Sequence, residues 1–249
     1  MEIKRKTLQG VINILSFNRH FYVIGISLVL LILVSKLLIN WNLLIFVLAI
    51  STLAYGLIMP LLVSAFVYDF SGYYNFEWLD SINIQNSKSA QIVNINAGFD
   101  ETSFILKHKL PDANLSVYDF YDPENHTEIA ITRARKISLT YPNTKLIKTN
   151  HIPLENNSVD TIFLLSAAHE IRSYKEKILF LKECKRICKI NGQVILVEHL
   201  RDMPNFLAFS IGFTHFFSKR VWTDAFKSAG FNSYTEHKFT PFMSIFKFN

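Results

Sequence analysis

Three groups of residues in this 249-residue chain have the types and spacing to do chemistry. The first lies in Gln91–Glu101, QIVNINAGFDE, where a short apolar run (Ile92, Val93, Ile95) ends in Asn96-Ala97-Gly98 and a helical pattern begins just beyond. A buried strand feeding a tight turn and a helix N-terminus cradles ligands in α/β proteins. Small residues allow close backbone approach, and free N–H groups face the ligand. With one glycine where a dinucleotide fingerprint has three, the stretch reads equally well as a plain strand–helix turn. The second group is Asp119, ending an apolar run roughly 25 residues beyond the turn, where a carboxylate can accept two hydrogen bonds from a ribose diol. The third is His169-Glu170 together with His199, each just past a further apolar run, at the edge where ligands gather in open α/β sheets. There His169 is the first candidate for a general base, His199 the second and Glu170 the third. Ordinary roles compete: His199 capping a loop, Glu170 pairing with Arg172, His169 only shaping a pocket.

The elements that must position these residues alternate. Asn114–Phe120 reads as a second strand, Thr144–Lys148 as a short third, Asp160–Ser166 as a fully apolar fourth and Gln193–Glu198 as a fifth. Between them, Thr102–Lys109, Glu128–Ile137 and Tyr174–Lys189 have helical periodicity, the last closed by Asn191-Gly192 as a C-cap. Val221–Ala229 is a further helix stopped by Gly230, and Asn232–Lys238 with Phe242–Phe248 form a closing pair of strands. Strands alternating with helices predict an α/β fold, a Rossmann-like parallel sheet, here with an antiparallel C-terminal edge hairpin. Cys184 and Cys188, four apart in a helical pattern, read as two thiols on one helix face in a reducing compartment, with no metal site.

Ahead of this domain the composition changes. Phe21–Ile39 carries one charge, Lys36, placed to snorkel near its end, and Leu43–Val67 carries none. Each run is long enough to cross about 30 Å of hydrocarbon. Asn40-Trp41-Asn42 is the polar break between them, with Trp suited to a membrane interface. Neither a cleaved signal peptide nor a buried helical pair fits runs this long and this lacking in polar faces. Residues 1–68 are therefore expected to be a two-helix transmembrane hairpin (about 21–39 and 43–67), and 69–249 a globular domain. Lys4, Arg5, Lys6 and Arg19 predict a cytoplasmic N-terminus, and two crossings return the domain to the same side. Residues 1–68 hold five Lys/Arg against one Glu, most of the formal net charge of +6. The basic balance thus belongs to a membrane terminus and implies no nucleic-acid partner. Tyr68-Asp69-Phe70-Ser71-Gly72-Tyr73-Tyr74 reads either as an interfacial aromatic belt or as a lid over the ligand turn. Phe206, Phe209, Phe213, Phe216 and Phe217 read as core, as a greasy substrate wall, or as a surface lying on the bilayer.

Taken together, Tyr68–Asn249 resembles the class I S-adenosylmethionine-dependent methyltransferases. NINAGFD stands where that family has its D-x-G-x-G-x-G turn, and YDF with Asp119 stands at its ribose-binding strand end. HIPLENNSVDTIFLL and ECKRICKINGQVILVEH resemble two further collinear segments, and WTDAFKSAGF resembles the helix before the last strands. The chain is also similar to a bacterial group of methyltransferase-like proteins carrying AAHEIR and EHLRDMPNFLAF. The resemblance implies S-adenosylmethionine as cofactor, held by Asn94, Asn96, Ala97, Gly98, Asp119, Phe120, Thr149, Asn150, His151 and Ser166. Asn94, Asn96 and Asp100 depart from the family's acid, first glycine and third glycine, and Asp100 is expected to repel the cofactor's carboxylate. Lys148, Thr149 and Asn150 stand where an acid is expected.

Two functions of different class follow. One is a membrane-anchored methyltransferase acting on a small, lipid-like acceptor; the other is a catalytically silent binding module at the membrane. A nicotinamide-dependent oxidoreductase is disfavoured because G-x-G-x-x-G is absent.

Overall fold

The structure, a computed structural model, describes residues 5–82, 89–125 and 128–249; Lys4 of the basic cluster lies outside them. The chain begins with a short amphipathic helix, α1 (Gln9–Phe17), followed by α2 (Arg19–Leu38) and α3 (Leu43–Ser64). The last two are apolar all round and antiparallel across a four-residue break. Asn42 caps α3, its side chain accepting from the N–H groups of Leu44 and Ile45. At the break, Lys36 reaches the carbonyl of Trp41, and the Trp41 indole donates to Ser35.

α3 does not stop where the apolar run stops. Ala65–Phe70 continues it in wide π turns, and a 3-10 turn, Tyr73–Asn75, and the short α4 (Trp78–Ser81) follow. Val63 and Val67 are already buried with Tyr73, Phe76 and Trp78. The second apolar helix thus ends inside a hydrophobic core.

Seven strands form one sheet: β1 (Gln91–Asn96), β2 (Asn114–Asp119), β3 (Lys145–Leu146), β4 (Val159–Leu165), β5 (Cys188–His199), β6 (Tyr234–Thr240) and β7 (Met243–Phe248). Their order is β3-β2-β1-β4-β5-β7-β6. The first five are parallel, and β7 lies antiparallel between β5 and β6. The crossovers carry α5 (Ser103–Lys109), α6 (Ile129–Arg135) and α7 (Tyr174–Ile187), and α8 (Met203–Phe209) and α9 (Lys219–Ser228) follow β5. Strand order reverses between β1 and β4, and the carboxyl ends on either side of that crevice are where an open α/β sheet binds ligands.

Alternation along the strands divides the core in two. Val93, Ile95, Ile162, Leu164, Val194 and Leu196 pack one face against Phe180, Leu181, Trp222 and Phe226 of α7 and α9. Ile92, Phe163, Leu165, Ile195 and Val197 pack the other against Leu106, Trp78 and the end of α3. Each large side chain so buried contributes about 1.5–3 kcal/mol.

Three local readings of the sequence are corrected. Asn191-Gly192 is not a helix C-cap: α7 ends at Ile187, and the pair lies within β5, where the register with β4 jumps between Val159 and Thr161. A Cβ on Gly192 would come within 2.9 Å of the Val159 carbonyl, so the glycine serves close strand approach rather than a helix stop. Cys184 and Cys188 do not share a helix face; Cys188 opens β5, and both thiols are buried and free. The third strand shrinks to two exposed residues, since Lys145 and Leu146 form the sheet edge with little to bury.

Candidate functional site

The turn after β1 is held from below. Asn94 is buried and donates from Nδ2 to the hydroxyls of Thr102 and Ser103, tying the strand to the start of α5. Asn96 folds back on the chain, its Oδ1 accepting the N–H of Gly98 at 2.8 Å, with Ala97 buried between. Gly98 has φ +86, which explains why the one glycine kept from the family pattern is here. Asp100 does something its sequence position did not suggest. Its Oδ1 accepts the N–H groups of Thr102 and Ser103, both at 2.9 Å, as a cap on α5. Its Oδ2 is buried without a partner among the described residues.

Asp119 ends β2 beside Asn96 in register. Its Oδ1 accepts the N–H of Tyr121, and its Oδ2 accepts from Arg135 at 2.8 Å. Arg135 also stacks over the Tyr121 ring, 4.0 Å from its centroid. The same guanidinium covers the turn: a Cβ built on Gly98 would collide with it. Phe120 is buried behind Asp119 and packs on Phe180. Thr149 donates to Glu176 of α7, whereas Asn150 and His151 are exposed on the β3 side. Ser166, just past β4, adopts φ +50 and faces the Tyr73 hydroxyl at 3.5 Å. Asn96, Gly98, Asp119 and Ser166 therefore meet at one sheet edge, while Asn94 supports them and His151 stands apart.

Across the crevice, His169 lies on a 3-10 turn (Ala168–Glu170) after β4. Its Nδ1 donates to Glu198 Oε2 at 2.8 Å, and its Nε2 lies 3.4 Å from Glu170 Oε1. Burial alone would lower the pKa of His169. The charge of Glu198 and hydrogen bonds to both carboxylates outweigh it and carry the pKa up to about 10. His169 is thus an imidazolium at neutral pH. Burial alone would raise the pKa of Glu170, but its hydrogen bond to His169 and the charges of His169 and His215 together hold it below the usual carboxylate range.

His199 is the opposite case. Burial pushes its pKa down to about 4, against the bonds to Asn205 and the Phe242 carbonyl that favour its charged form. The carbonyl of Phe242 lies 2.9 Å from Nδ1 and fixes the proton there, leaving Nε2 to accept from the Tyr68 hydroxyl at 2.8 Å. Lys177, fully buried and pushed by burial to about 7, donates to the carbonyl of Ile171 at 2.7 Å.

A roof closes over the turn from the N-terminal side. Tyr74 and Arg5 both bond Glu101, and Asn13 of α1 does the same at 3.2 Å. Asp69 accepts the N–H of Gly10. Of the two readings of the Tyr68–Tyr74 stretch, the lid is the one its contacts match. Sequence reasoning missed Glu198, Arg135, Glu128 and His215. Only Glu198, a carboxylate inside the apolar run QVILVEH, carried a signal.

Residues 113–196 match the family model described as a methyltransferase domain. Among solved structures, the chain is similar to human N-acetylserotonin methyltransferase in complex with SAM, at TM-score 0.52 and 13% identity over 78% of this chain and 55% of that one. It is similar to PigF with SAH, at 0.51 and 13% over 76% and 57%. It is also similar to a Pyrococcus horikoshii protein, at 0.51 and 14% over 74% and 92%. No curated protein matches the chain. The fold is that of the class I S-adenosylmethionine-dependent methyltransferases, and the unpartnered Oδ2 of Asp100 fits that cofactor, whose ammonium is a donor in need of an acceptor.

Proposed function

We propose that this chain is a membrane-anchored methyltransferase that transfers the methyl of S-adenosylmethionine to a small, lipid-like acceptor on the cytoplasmic side. One observation carries the reading. The helix α3, long and apolar enough to cross a membrane, continues unbroken into the roof of the site, where Tyr68 bonds His199. The apolar windows of α2 and α3 are 6% and 0% buried, which a core helix of a soluble protein would not be. Beside α3, Met203, Phe206, Leu207 and Ile211 expose a second apolar surface, tied to it by the Tyr55 hydroxyl on the Leu207 carbonyl at 2.6 Å. Arg5, Lys6 and Arg19 favour a cytoplasmic start, and a hairpin returns the domain there.

In this reading Asn96 and Gly98 shape the turn that receives the cofactor, Asp119 takes its ribose and Asp100 its ammonium. Methyl transfer is an in-line displacement, so the protein's main contribution is proximity and exclusion of water. The methyl leaves the sulfonium, whose sulfur keeps the electron pair, and bonds the acceptor oxygen. His169 is protonated at neutral pH and holds that oxygen, and the anionic Glu170 beside it takes the hydroxyl proton.

A specific observation favours the silent binding module as the second reading: Arg135 covers Gly98 and occupies Asp119. The test is a titration of the full chain in nanodiscs with S-adenosylmethionine, followed by transfer of labelled methyl to a membrane lipid extract. Micromolar binding and turnover are expected, with His169→Ala keeping the binding and losing the turnover. Binding without turnover on any extract would favour the module; no binding at all would overturn both. Reporter fusions at Asn40 and at Asn249 are expected on opposite sides of the membrane.

A further inference from the structure

Three groups close on one point, two of which the methyl-transfer reading places at the acceptor. His169 and Glu170, after β4, and His215, ending the 3-10 segment Ser210–His215 after α8, each bring a donor atom within 4.8 Å of the other two. Each imidazole is held from behind by a carboxylate. Glu198 Oε2 lies 2.8 Å from Nδ1 of His169, and Glu128 Oε2 lies 3.1 Å from Nδ1 of His215. With Nδ1–H kept on the carboxylate behind it, each ring can present Nε2 to a metal in place of a proton, the arrangement by which carboxylate–histidine pairs orient metal-bound rings. The Nε2 of His169 faces Glu170 Oε1 at 3.4 Å, so a metal ion seated between them would displace the proton they share.

The other nearby cations leave the cluster free for an ion. Three carboxylates, Glu128, Glu170 and Glu198, enclose two imidazoles. The cations facing them are engaged elsewhere. Arg172 bonds the backbone carbonyls of His215 and His169 and lies over the Phe217 ring. Lys177 bonds the carbonyls of Ile171 and Ala168 and lies over Phe217 and Trp222. Among the described residues, neither makes an ion pair with any of the three carboxylates.

We propose that His169, Glu170 and His215 bind a divalent transition-metal cation of the zinc or iron(II) class, with Glu198 and Glu128 orienting the two imidazoles. Two nitrogen donors and one carboxylate suit such borderline cations rather than magnesium or calcium. Three protein ligands leave a coordination position open, through which a bound ion would hold the acceptor oxygen in place of His169 and Glu170. Bonds of about 2.0–2.2 Å place tetrahedral donors about 3.4 Å apart, so the shell draws in when filled. His215, on a half-exposed segment, is the member with room to move.

Cobalt(II) serves as the spectroscopic probe, added to the chelator-stripped full chain in nanodiscs. One equivalent is expected to bind, with visible ligand-field absorption of a nitrogen- and oxygen-bound ion, and zinc is expected to displace it. His215→Ala and Glu170→Gln should each weaken binding by tenfold or more without lowering the melting temperature. Glu128→Gln should weaken it by about 10–100-fold, as removal of an orienting carboxylate does. No stoichiometric binding, binding unchanged in both His215→Ala and Glu170→Gln, or a thiolate charge-transfer band from Cys184 and Cys188 would each overturn the site.

Discussion

The guanidinium of Arg135 both bonds the Asp119 carboxylate at 2.8 Å and lies over Gly98, where a Cβ would collide with its Nη1. The carboxylate expected to take the ribose is therefore already paired, and the space above the turn is already filled. On the proposed reading, cofactor binding displaces the arginine. Asp119→Ala is expected to weaken S-adenosylmethionine binding by roughly 1–3 kcal/mol, the cost of stranding buried partners. Arg135→Ala is expected to strengthen it several-fold, because a competitor is removed. Calorimetry on the full chain checks both, and loss of binding in Arg135→Ala would show that the arginine holds the cofactor rather than excludes it.

Asp100→Gly would restore the family's third glycine, yet it is expected to do harm. The carboxylate takes two N–H groups at the start of α5, and removing such a cap costs about 1 kcal/mol. The melting temperature should fall by a few degrees, and cofactor affinity should fall as well, because the acceptor of the ammonium is removed. A variant that binds more tightly than the wild type would restore the expectation of repulsion.

How far the sequence carried the site follows from these residues. Short continuous apolar runs and the helices between them were legible, since a parallel sheet buries both faces of its strands. So was the edge where Asn96, Asp119, His169 and His199 gather, because strand ends are readable from where apolar runs stop. Partner choice was not legible. That Asp100 spends one oxygen on the start of α5 and leaves the other free is set by the local chain path. That Arg135, Glu198 and Glu128 reach the site depends on contacts between segments far apart in sequence. Asn191-Gly192 had the composition of a helix stop, and pairing with β4 overrode it.

His199 makes stability depend on acid. Its folded pKa, about 4, lies below its ordinary 6.5, so the native state excludes a proton that the unfolded chain accepts. Its contribution is whole above pH 6.5 and is lost as pH falls through 4, amounting to about 3 kcal/mol at pH 4. His199→Gln keeps a polar side chain without the titration. Thermal melts between pH 7 and pH 4 should fall less steeply for the variant than for the wild type. Parallel curves would mean that His199 is protonated in the native state.

The segment after β5 should lie in the membrane rather than above it. α3 rises about 33 Å over its 22 residues, and Tyr55 stands nine residues before its end, about 13 Å up the helix. Its hydroxyl holds the carbonyl of Leu207, so α8 runs alongside α3 and not beyond its end. Ile211 is 84% exposed and Met203 67%, an arrangement that water would disfavour and acyl chains would not. Below them Phe209 and Phe216 pack on His199, which joins this apolar surface to the site. A fluorophore on a cysteine replacing Ile211, in nanodiscs, should be quenched by a lipid-borne quencher and spared by a water-soluble one. Ile211→Glu should leave cofactor affinity unchanged and reduce transfer to a lipid acceptor by tenfold or more, because the charge lifts the segment away from the bilayer. Quenching by the aqueous agent alone, with turnover intact in Ile211→Glu, would place α8 in solvent and remove the route by which a lipid-like acceptor reaches His169.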